Sequence, residues 1–169
     1  MESMVAVKKE TKKTKGNEIT VALVGNPNSG KTTVFNNLTG AHQSVGNWPG
    51  VTVEKKEGKI NINGEVLRII DLPGTYNLGN YSEDERIARD FILFEKPEII
   101  INIVDATNLE RNLYLTFQLL EMGARVVLAL NMSDELKMKQ INIDTEKLAS
   151  FIGIPVVPTV AIHGEGLNE

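Results

Sequence analysis

The stretch that decides the fold is Gly25-Asn26-Pro27-Asn28-Ser29-Gly30-Lys31-Thr32, preceded by Ile19-Thr20-Val21-Ala22-Leu23-Val24 and followed by Thr33-Val34-Phe35-Asn36-Asn37-Leu38. The octet fits G-x-x-x-x-G-K-[ST], a loop whose backbone N–H groups curl around a phosphate. Lys31 would reach the β- and γ-phosphate oxygens, and the Thr32 hydroxyl would ligate Mg²⁺. The preceding residues read as a buried strand and the following ones, from Thr33, as the start of a helix, whose dipole attracts anions. This order predicts a nucleotide-phosphate site.

Composition excludes several classes of function. The chain has 169 residues, a formal charge of −4 and a pI near 5.3, which argue against a nucleic-acid partner. It contains no cysteine, so disulfides and thiolate metal sites are excluded. The longest apolar run, Ile99–Val104, is far shorter than the ~18 residues of a membrane span. We therefore expect the fragment itself to be soluble.

Residues 1–17 differ from the rest of the chain because lysines crowd positions 8–15 and large apolar side chains are scarce. This composition predicts a basic, disordered leader. The alternative is a weak attraction to anionic lipid headgroups.

The remaining sequence alternates strands and helices. Val51–Ile62 and Glu65–Asp71 read as strands joined by Asn63-Gly64, a strong hairpin signal. A helix is predicted to begin at Ser82, with Glu85 completing a capping box, and to end before Pro97. Further helices are predicted at about residues 109–122 and 145–151, and strands at 98–104, 125–130 and 155–159.

This order predicts an α/β fold. Near-continuous apolar strands alternating with helices form parallel sheets that are covered on both faces. We expect a P-loop GTPase (Ras-like) domain over residues 18–169, with a mostly parallel six-stranded sheet, helices on both faces and one antiparallel edge pair. Gly164-Glu165-Gly166-Leu167 should lead into a final helix that is truncated at the C-terminus.

Asp71-Leu72-Pro73-Gly74 lies at the end of a predicted strand. The Asp71 carboxylate can hold Mg²⁺ through water, and the Gly74 N–H can sense a γ-phosphate. Alone, this pattern is a common turn. Its position some forty residues after a phosphate loop favours the nucleotide function.

Asn131-Met132-Ser133-Asp134 follows the next apolar strand. A carboxylate at Asp134 can accept hydrogen bonds from guanine N1–H and from the exocyclic amine, a donor pair that adenine lacks. Asn131 would tie this segment to the phosphate loop, and Met132 would cover the base. The alternative is that Ser133 or Asp134 merely caps a helix.

Two further segments are candidate parts of the nucleotide site. Val160-Ala161-Ile162 would place the Ala161 N–H near guanine O6. Gly50-Val51-Thr52 follows a Gly-rich stretch, and Thr52 is our choice for the threonine that completes Mg²⁺ coordination; Ser44 is a weaker rival. Trp48, the only tryptophan, either packs as an anchor, or it shields the nucleotide or contacts a partner.

Four strings together resemble the G domain of the FeoB family of prokaryotic ferrous-iron transporters. They are the phosphate loop, Val45-Gly46-Asn47-Trp48-Pro49-Gly50-Val51-Thr52-Val53-Glu54, Asp71-Leu72-Pro73-Gly74-Thr75-Tyr76, and Val104-Asp105-Ala106-Thr107-Asn108-Leu109-Glu110-Arg111-Asn112-Leu113. The resemblance implies GTP and GDP as ligands and a place on the cytoplasmic face of the cell membrane. It also implies downstream helical and membrane domains in the parent chain and a possible homo-oligomer.

The hydrolytic machinery is expected to be incomplete. Ras-like switches orient the attacking water with a glutamine after D-x-x-G, and this chain has the shorter Thr75 there, so we expect slow intrinsic turnover. Lys31, Asn28 and Thr52 are the expected catalytic residues. By resemblance to potassium-activated GTPases, Asn28 would hold K⁺ beside the phosphates, with backbone carbonyls of Gly46 and Trp48 completing the shell. Otherwise Asn28 only stabilises the turn.

Two other functions remain open at this level. One is a GTPase of ribosome assembly or RNA modification, although such proteins usually carry basic appendages. The other is a nucleotide-gated binding module with little hydrolysis.

Overall fold

The computed structural model describes residues 18–168. The predicted leader over residues 1–17 lies outside the described residues. The strands are β1 (Glu18–Gly25), β2 (Gln43–Asn47), β3 (Glu54–Ile62), β4 (Glu65–Asp71), β5 (Ile99–Asp105), β6 (Val126–Asn131) and β7 (Val156–Pro158). The helices are α1 (Lys31–Thr39), α2 (Glu83–Asp90), α3 (Leu109–Glu121), α4 (Ser133–Met138) and α5 (Thr145–Ile152).

The described strands form one sheet in the order β2-β3-β4-β1-β5-β6-β7. β4, β1, β5, β6 and β7 run parallel, whereas β2 and β3 pair antiparallel at one side. The α/β class and the antiparallel β3–β4 pair confirm the sequence prediction. The sheet has seven strands rather than the expected six, because Gln43–Asn47, where the sequence predicts no strand, pairs with β3.

β1 lies inside the sheet and is buried on both faces. Ala22 and Val24 pack into the apolar cluster beneath α2 and α3, whereas Val21 and Leu23 pack into the cluster beneath α1. Successive side chains of a strand point to opposite faces, so this unbroken apolar run serves two cores at once. The burial fixes the carboxyl end of β1, from which the phosphate loop emerges.

α2 begins at the predicted residue. Ser82 is the N-cap and its Oγ accepts a hydrogen bond from Glu85 N at 3.1 Å, while Glu85 Oε2 accepts one from Tyr81 N at 3.0 Å. The helix continues as a π-helical turn over Phe91–Glu95 and ends at Lys96, which has a left-handed φ of 47°. Because Pro97 follows, the chain leaves the helix here.

Short 3₁₀ turns at Ala106–Asn108 and Ala161–His163 follow β5 and β7. No helix within residues 18–168 combines the length and the apolarity that crossing a bilayer requires.

Candidate nucleotide-binding site

The phosphate loop joins β1 to α1 in the predicted order. Gly30 has φ 91° and Asn28 has φ 65°, so two left-handed residues curl the loop back toward the helix N-terminus. A Cβ at Gly30 would overlap the Asn131 amide. The loop forms one wall of an open cavity of about 570 Å³, which is lined by Asn26, Pro27, Asn28, Gly30, Lys31, Thr32, Thr33, Gly74, Asp84 and Met132.

The Lys31 ammonium donates a hydrogen bond to the Asp71 carboxylate. Both side chains are nearly buried, at 10% and 8% exposure. The contact joins the phosphate loop to the end of β4, and Thr32, which lines the cavity, is the next residue along the chain. A hydroxyl and a carboxylate are hard oxygen ligands, so Thr32 and Asp71 fit a magnesium ion.

Asp71 also acts on the neighbouring strand. The pKa of Lys56, its partner in the β3–β4 register, is raised above the usual lysine value. The main cause is the hydrogen bond to Glu54, at 2.9 Å; burial opposes it, and the charges of Glu54 and Asp71 add to it. The Asp71 carboxylate is thus hydrogen-bonded to Lys31 and makes the smallest of these contributions at Lys56.

The segment after β4 packs directly on the phosphate loop. Thr75 N donates to Gly25 O at 3.1 Å, and Gly74 lies against Pro27. Leu72 is fully buried, so the Asp71-Leu72-Pro73-Gly74 turn is anchored to the core. The Thr75 hydroxyl donates to Asn77 O at 2.6 Å instead of pointing into the cavity.

Asn131 connects three loops. Its Nδ2 donates to Ser29 O in the phosphate loop at 2.9 Å, which confirms the predicted tie. Its Oδ1 accepts from Ala161 N at 3.0 Å and from Thr159 Oγ1 at 3.3 Å. The residue is 3% exposed, so no water replaces these partners. One amide therefore fixes the distance between the phosphate loop and the loops at the ends of β6 and β7.

Asp134 lies in the first turn of α4, partly exposed. α4 has no side-chain cap hydrogen bond; Ser133 Oγ instead donates to Leu130 O at 2.6 Å. The simple capping role is therefore not what the structure shows. Met132 has φ 60° and lines the cavity. A positive φ is uncommon for a residue other than glycine, asparagine or aspartate. This backbone conformation accompanies the position of the Met132 side chain in the cavity wall.

The sequence predicts that the Ala161 N–H faces guanine O6, but in the structure this N–H already has a partner. It donates to Asn131 Oδ1, and Ala161 O accepts from Asn37 Nδ2, so both backbone groups are engaged. Val160 is buried and Ile162 is 73% exposed. A contact to guanine O6 requires Ala161 to share its hydrogen or to shift.

The structure does not bring the segment from Gly46 to Thr52, predicted to contact the nucleotide and its metal ions, to the cavity. None of Gly46, Trp48, Gly50, Val51 and Thr52 lines it. β2 pairs with β3, and Trp48 is 9% exposed against Phe91, with ring centroids 5.6 Å apart in an edge-to-face pair. Packing as an anchor is thus the role that the structure shows for Trp48.

The backbone carbonyls of Gly46 and Trp48, the two expected potassium ligands, already accept hydrogen bonds within the protein. Trp48 O accepts from Val51 N at 3.3 Å. Trp48 N donates to Val53 O, and Lys59 N donates to His42 O. The even-numbered residues from His42 to Trp48 therefore form the hydrogen bonds to β3. Pairs alternate along an antiparallel ladder, so the Gly46 carbonyl also faces β3.

Sequence reasoning missed Asp84, which lines the cavity. The sequence predicts only a helix start at Ser82-Glu83-Asp84-Glu85. The signal that could have found it is the acidic first turn of α2, on the segment that follows Asp71.

Buried polar side-chain atoms without a hydrogen-bond partner concentrate in two loops. Within residues 18–168 they are Asn26 Oδ1 and Nδ2, Ser29 Oγ and Trp48 Nε1. Such atoms are uncommon in native structures, where water, an ion or a ligand usually supplies the partner. Here they lie in the phosphate loop and at the end of β2.

A phosphate loop after β1, a carboxylate ending β4 and an Asn-x-x-Asp segment ending β6 define a G domain of the P-loop class. The family model described as "Ferrous iron transport protein B" matches residues 19–169. The chain therefore belongs to the FeoB family.

The relatives are much longer than this chain. The "Fe(2+) transporter FeoB" of Salmonella typhimurium strain LT2 is 52% identical over 155 residues, which are 89% of this chain and 20% of that protein. The "Fe(2+) transport protein A/Fe(2+) transporter FeoB fusion protein" of Porphyromonas gingivalis is 52% identical over 158 residues, or 93% of this chain and 19% of that protein. The chain thus spans about a fifth of these curated relatives.

Solved structures agree with the fold. A mutant of S. thermophilus NFeoB bound to GDP matches with a TM-score of 0.84 and 51% identity, covering 89% of this chain and 59% of that one. The FeoB G domain of Methanococcus jannaschii matches with a TM-score of 0.80 and 51% identity, covering 89% and 91%. The G domain of T. maritima FeoB matches at 0.84 and 49%, covering 90% and 93%.

Proposed function

We propose that this chain is the GTP-binding and GTP-hydrolysing switch domain of a ferrous-iron membrane transporter, held at the cytoplasmic face of the membrane by downstream helical and membrane domains. The observation that carries the nucleotide function is the Asn131 amide, which bonds to the phosphate loop and to Ala161. It ties the phosphate loop to the end of β6, and Asp134 follows in the next helix; this supports recognition of a guanine nucleotide. GDP-bound FeoB G domains support this proposal.

The phosphate end of the nucleotide would be held by charge and by backbone N–H groups. The loop presents its amides at the N-terminus of α1, where the helix dipole favours anions. Lys31 bonds to Asp71 here, so binding the β- and γ-phosphates requires its ammonium to leave or share that carboxylate. Thr32 and Asp71 would hold Mg²⁺, which neutralises phosphate charge when bound.

Hydrolysis is expected to be slow without help. Thr75 is 4% exposed and its hydroxyl faces Asn77, so it orients no water in the cavity. No arginine of the described residues lines the cavity: Arg89 contacts Asp90, and Arg111 lies 4.3 Å over the Tyr76 ring. Within residues 18–168, therefore, no arginine is in place to stabilise transition-state charge.

A potassium ion is our proposed substitute for that group. Asn28 lines the cavity with its backbone held at φ 65°, which supports a role in binding K⁺ beside the phosphates. Gly46 and Trp48 would contribute carbonyls only after β2 leaves β3 and Thr52 moves to the magnesium ion. K⁺ there would offset developing negative charge.

Nucleotide binding followed by turnover in two salts tests the proposal. GTP and GDP should bind far more tightly than ATP when Mg²⁺ is supplied. Turnover should be faster in K⁺ than in Na⁺, and Asn28→Ala should remove that difference while GTP still binds. Equal rates in both salts would remove K⁺ from the mechanism and leave GTP binding intact.

A nucleotide-gated binding module is the second candidate, and the Thr75 geometry favours it. In that case the GTP or GDP state positions the downstream domain, and hydrolysis only resets it. Transport by the full-length protein decides between the two. Transport that persists when turnover is blocked but GTP still binds supports the module.

A further inference from the structure

β2 is an open edge of the sheet that carries no protection against pairing. Its residues, Gln43-Ser44-Val45-Gly46-Asn47, include no charge and no proline, and Val45 is 62% exposed. Natural proteins usually protect an exposed edge with charged side chains, proline or a bulge. The opposite edge, β7, has only three residues. It begins directly after Pro155 and ends at Pro158.

The hydrogen-bonding groups of β2 alternate in direction. Ser44 and Gly46 face β3, following the Trp48–Val53 and His42–Lys59 bonds at the two ends of the register. Gln43, Val45 and Asn47 therefore point their N–H and C=O groups away from the sheet. These groups are spaced evenly about Val45, at two residues before it and two after it.

This spacing makes the edge complementary to itself. If two copies approach with β2 antiparallel and Val45 on the two-fold axis, Val45 faces Val45 and Gln43 faces Asn47. The ladder then exchanges about six backbone hydrogen bonds, the number that three outward residues on each strand supply. The opposed side chains are neutral, so no like charges oppose each other across the axis.

We propose that β2 is a self-association site, at which a second copy of this chain adds its own β2 antiparallel and continues the sheet across a two-fold axis. The contact involves one short strand from each copy, so it falls below the area of stable interfaces and describes a transient dimer. Its dissociation constant is expected on the order of 0.1–1 mM for the 169-residue chain. Attachment of the parent chains to one membrane would raise the local concentration.

Sedimentation equilibrium of the nucleotide-free chain, at concentrations up to about 1 mM, tests this proposal. The wild-type protein should shift toward twice its mass as concentration rises. Val45→Lys places two ammonium groups on the axis, and Val45→Pro removes the central N–H; both should stay monomeric. Val45→Thr keeps a neutral β-branched side chain and is the matched control, so it should dimerise like the wild type. Thermal melting of each variant shows that the fold is retained.

Cross-linking locates the contact. Because the chain has no cysteine, Val45→Cys and the control Ile162→Cys each carry a single thiol, and Ile162 is 73% exposed. A short bismaleimide should cross-link the Val45→Cys chain at least about tenfold faster than the control. Equal rates, a monomeric wild type at every concentration, or a Val45→Lys variant that dimerises like the wild type would each overturn the proposal. No nucleotide enters either measurement, so the result is independent of the proposed GTPase function.

Discussion

Removal of the Asn131 side chain should loosen the nucleotide site and destabilise the domain together. Asn131→Ala leaves three buried groups without their partner: Ser29 O, Ala161 N and Thr159 Oγ1. Each buried group that loses its hydrogen bond costs about 1–3 kcal/mol, and relaxation of the loops recovers part of this. We expect a loss of about 2–4 kcal/mol in the free energy of unfolding.

Urea unfolding followed by circular dichroism measures this loss. With a slope of about 2 kcal/mol per molar urea, the midpoint should fall by about 1–2 M. Asn108→Ala is the matched control, because its exposed side chain donates a single hydrogen bond, to Asp105 at 3.3 Å. That variant should lose less than about 0.5 kcal/mol. A loss below about 1 kcal/mol for Asn131→Ala, with GDP affinity unchanged, would refute the proposed role of Asn131 as the link between loops.

Two further predictions concern groups near the cavity. Asp84→Asn removes a carboxylate that lines it, so GDP should bind about two- to fivefold more tightly at low ionic strength, as titration calorimetry can measure, and high salt should abolish the gain. The emission of Trp48, the only tryptophan, should shift to longer wavelength when a non-hydrolysable GTP analogue and Mg²⁺ draw Thr52 to the site, because the ring leaves Phe91. Phe91→Leu should give part of that shift without nucleotide. An unchanged spectrum on saturation with the analogue would show that Trp48 stays packed.

Much of this arrangement follows from local patterns in the sequence. The unbroken apolar run of β1 and the glycines of the phosphate loop determine the first βα unit. The Asn63-Gly64 hairpin and the Ser82 cap define their elements, and both are present where they were predicted. The Asn131 contact to Ser29 confirms the predicted tie to the phosphate loop, and both loops follow parallel strands that end at the same edge of the sheet.

The parts that escaped prediction depend on contacts between distant segments. β2 has no alternating pattern, and its strand forms through backbone pairing with β3, which side chains do not encode. The Trp48–Phe91 contact joins residues from different elements and anchors the end of β2 to the core. The sequence predicts a base as the partner of the Ala161 N–H because it does not reveal that this group donates to Asn131 Oδ1.

The central claim is that Asp134 selects guanine while the phosphate loop holds the phosphates, and one binding experiment tests it most directly. Titration of the wild-type chain and of Asp134→Asn with GTP, ATP and xanthosine triphosphate, all with Mg²⁺, compares the donor patterns of the three bases. The wild type should prefer GTP over ATP by at least about 100-fold, and Asp134→Asn should lose GTP and gain xanthosine triphosphate, whose C2 carbonyl accepts from the new amide. Equal affinity of the wild type for ATP and GTP, or no change of preference in the variant, would contradict the account.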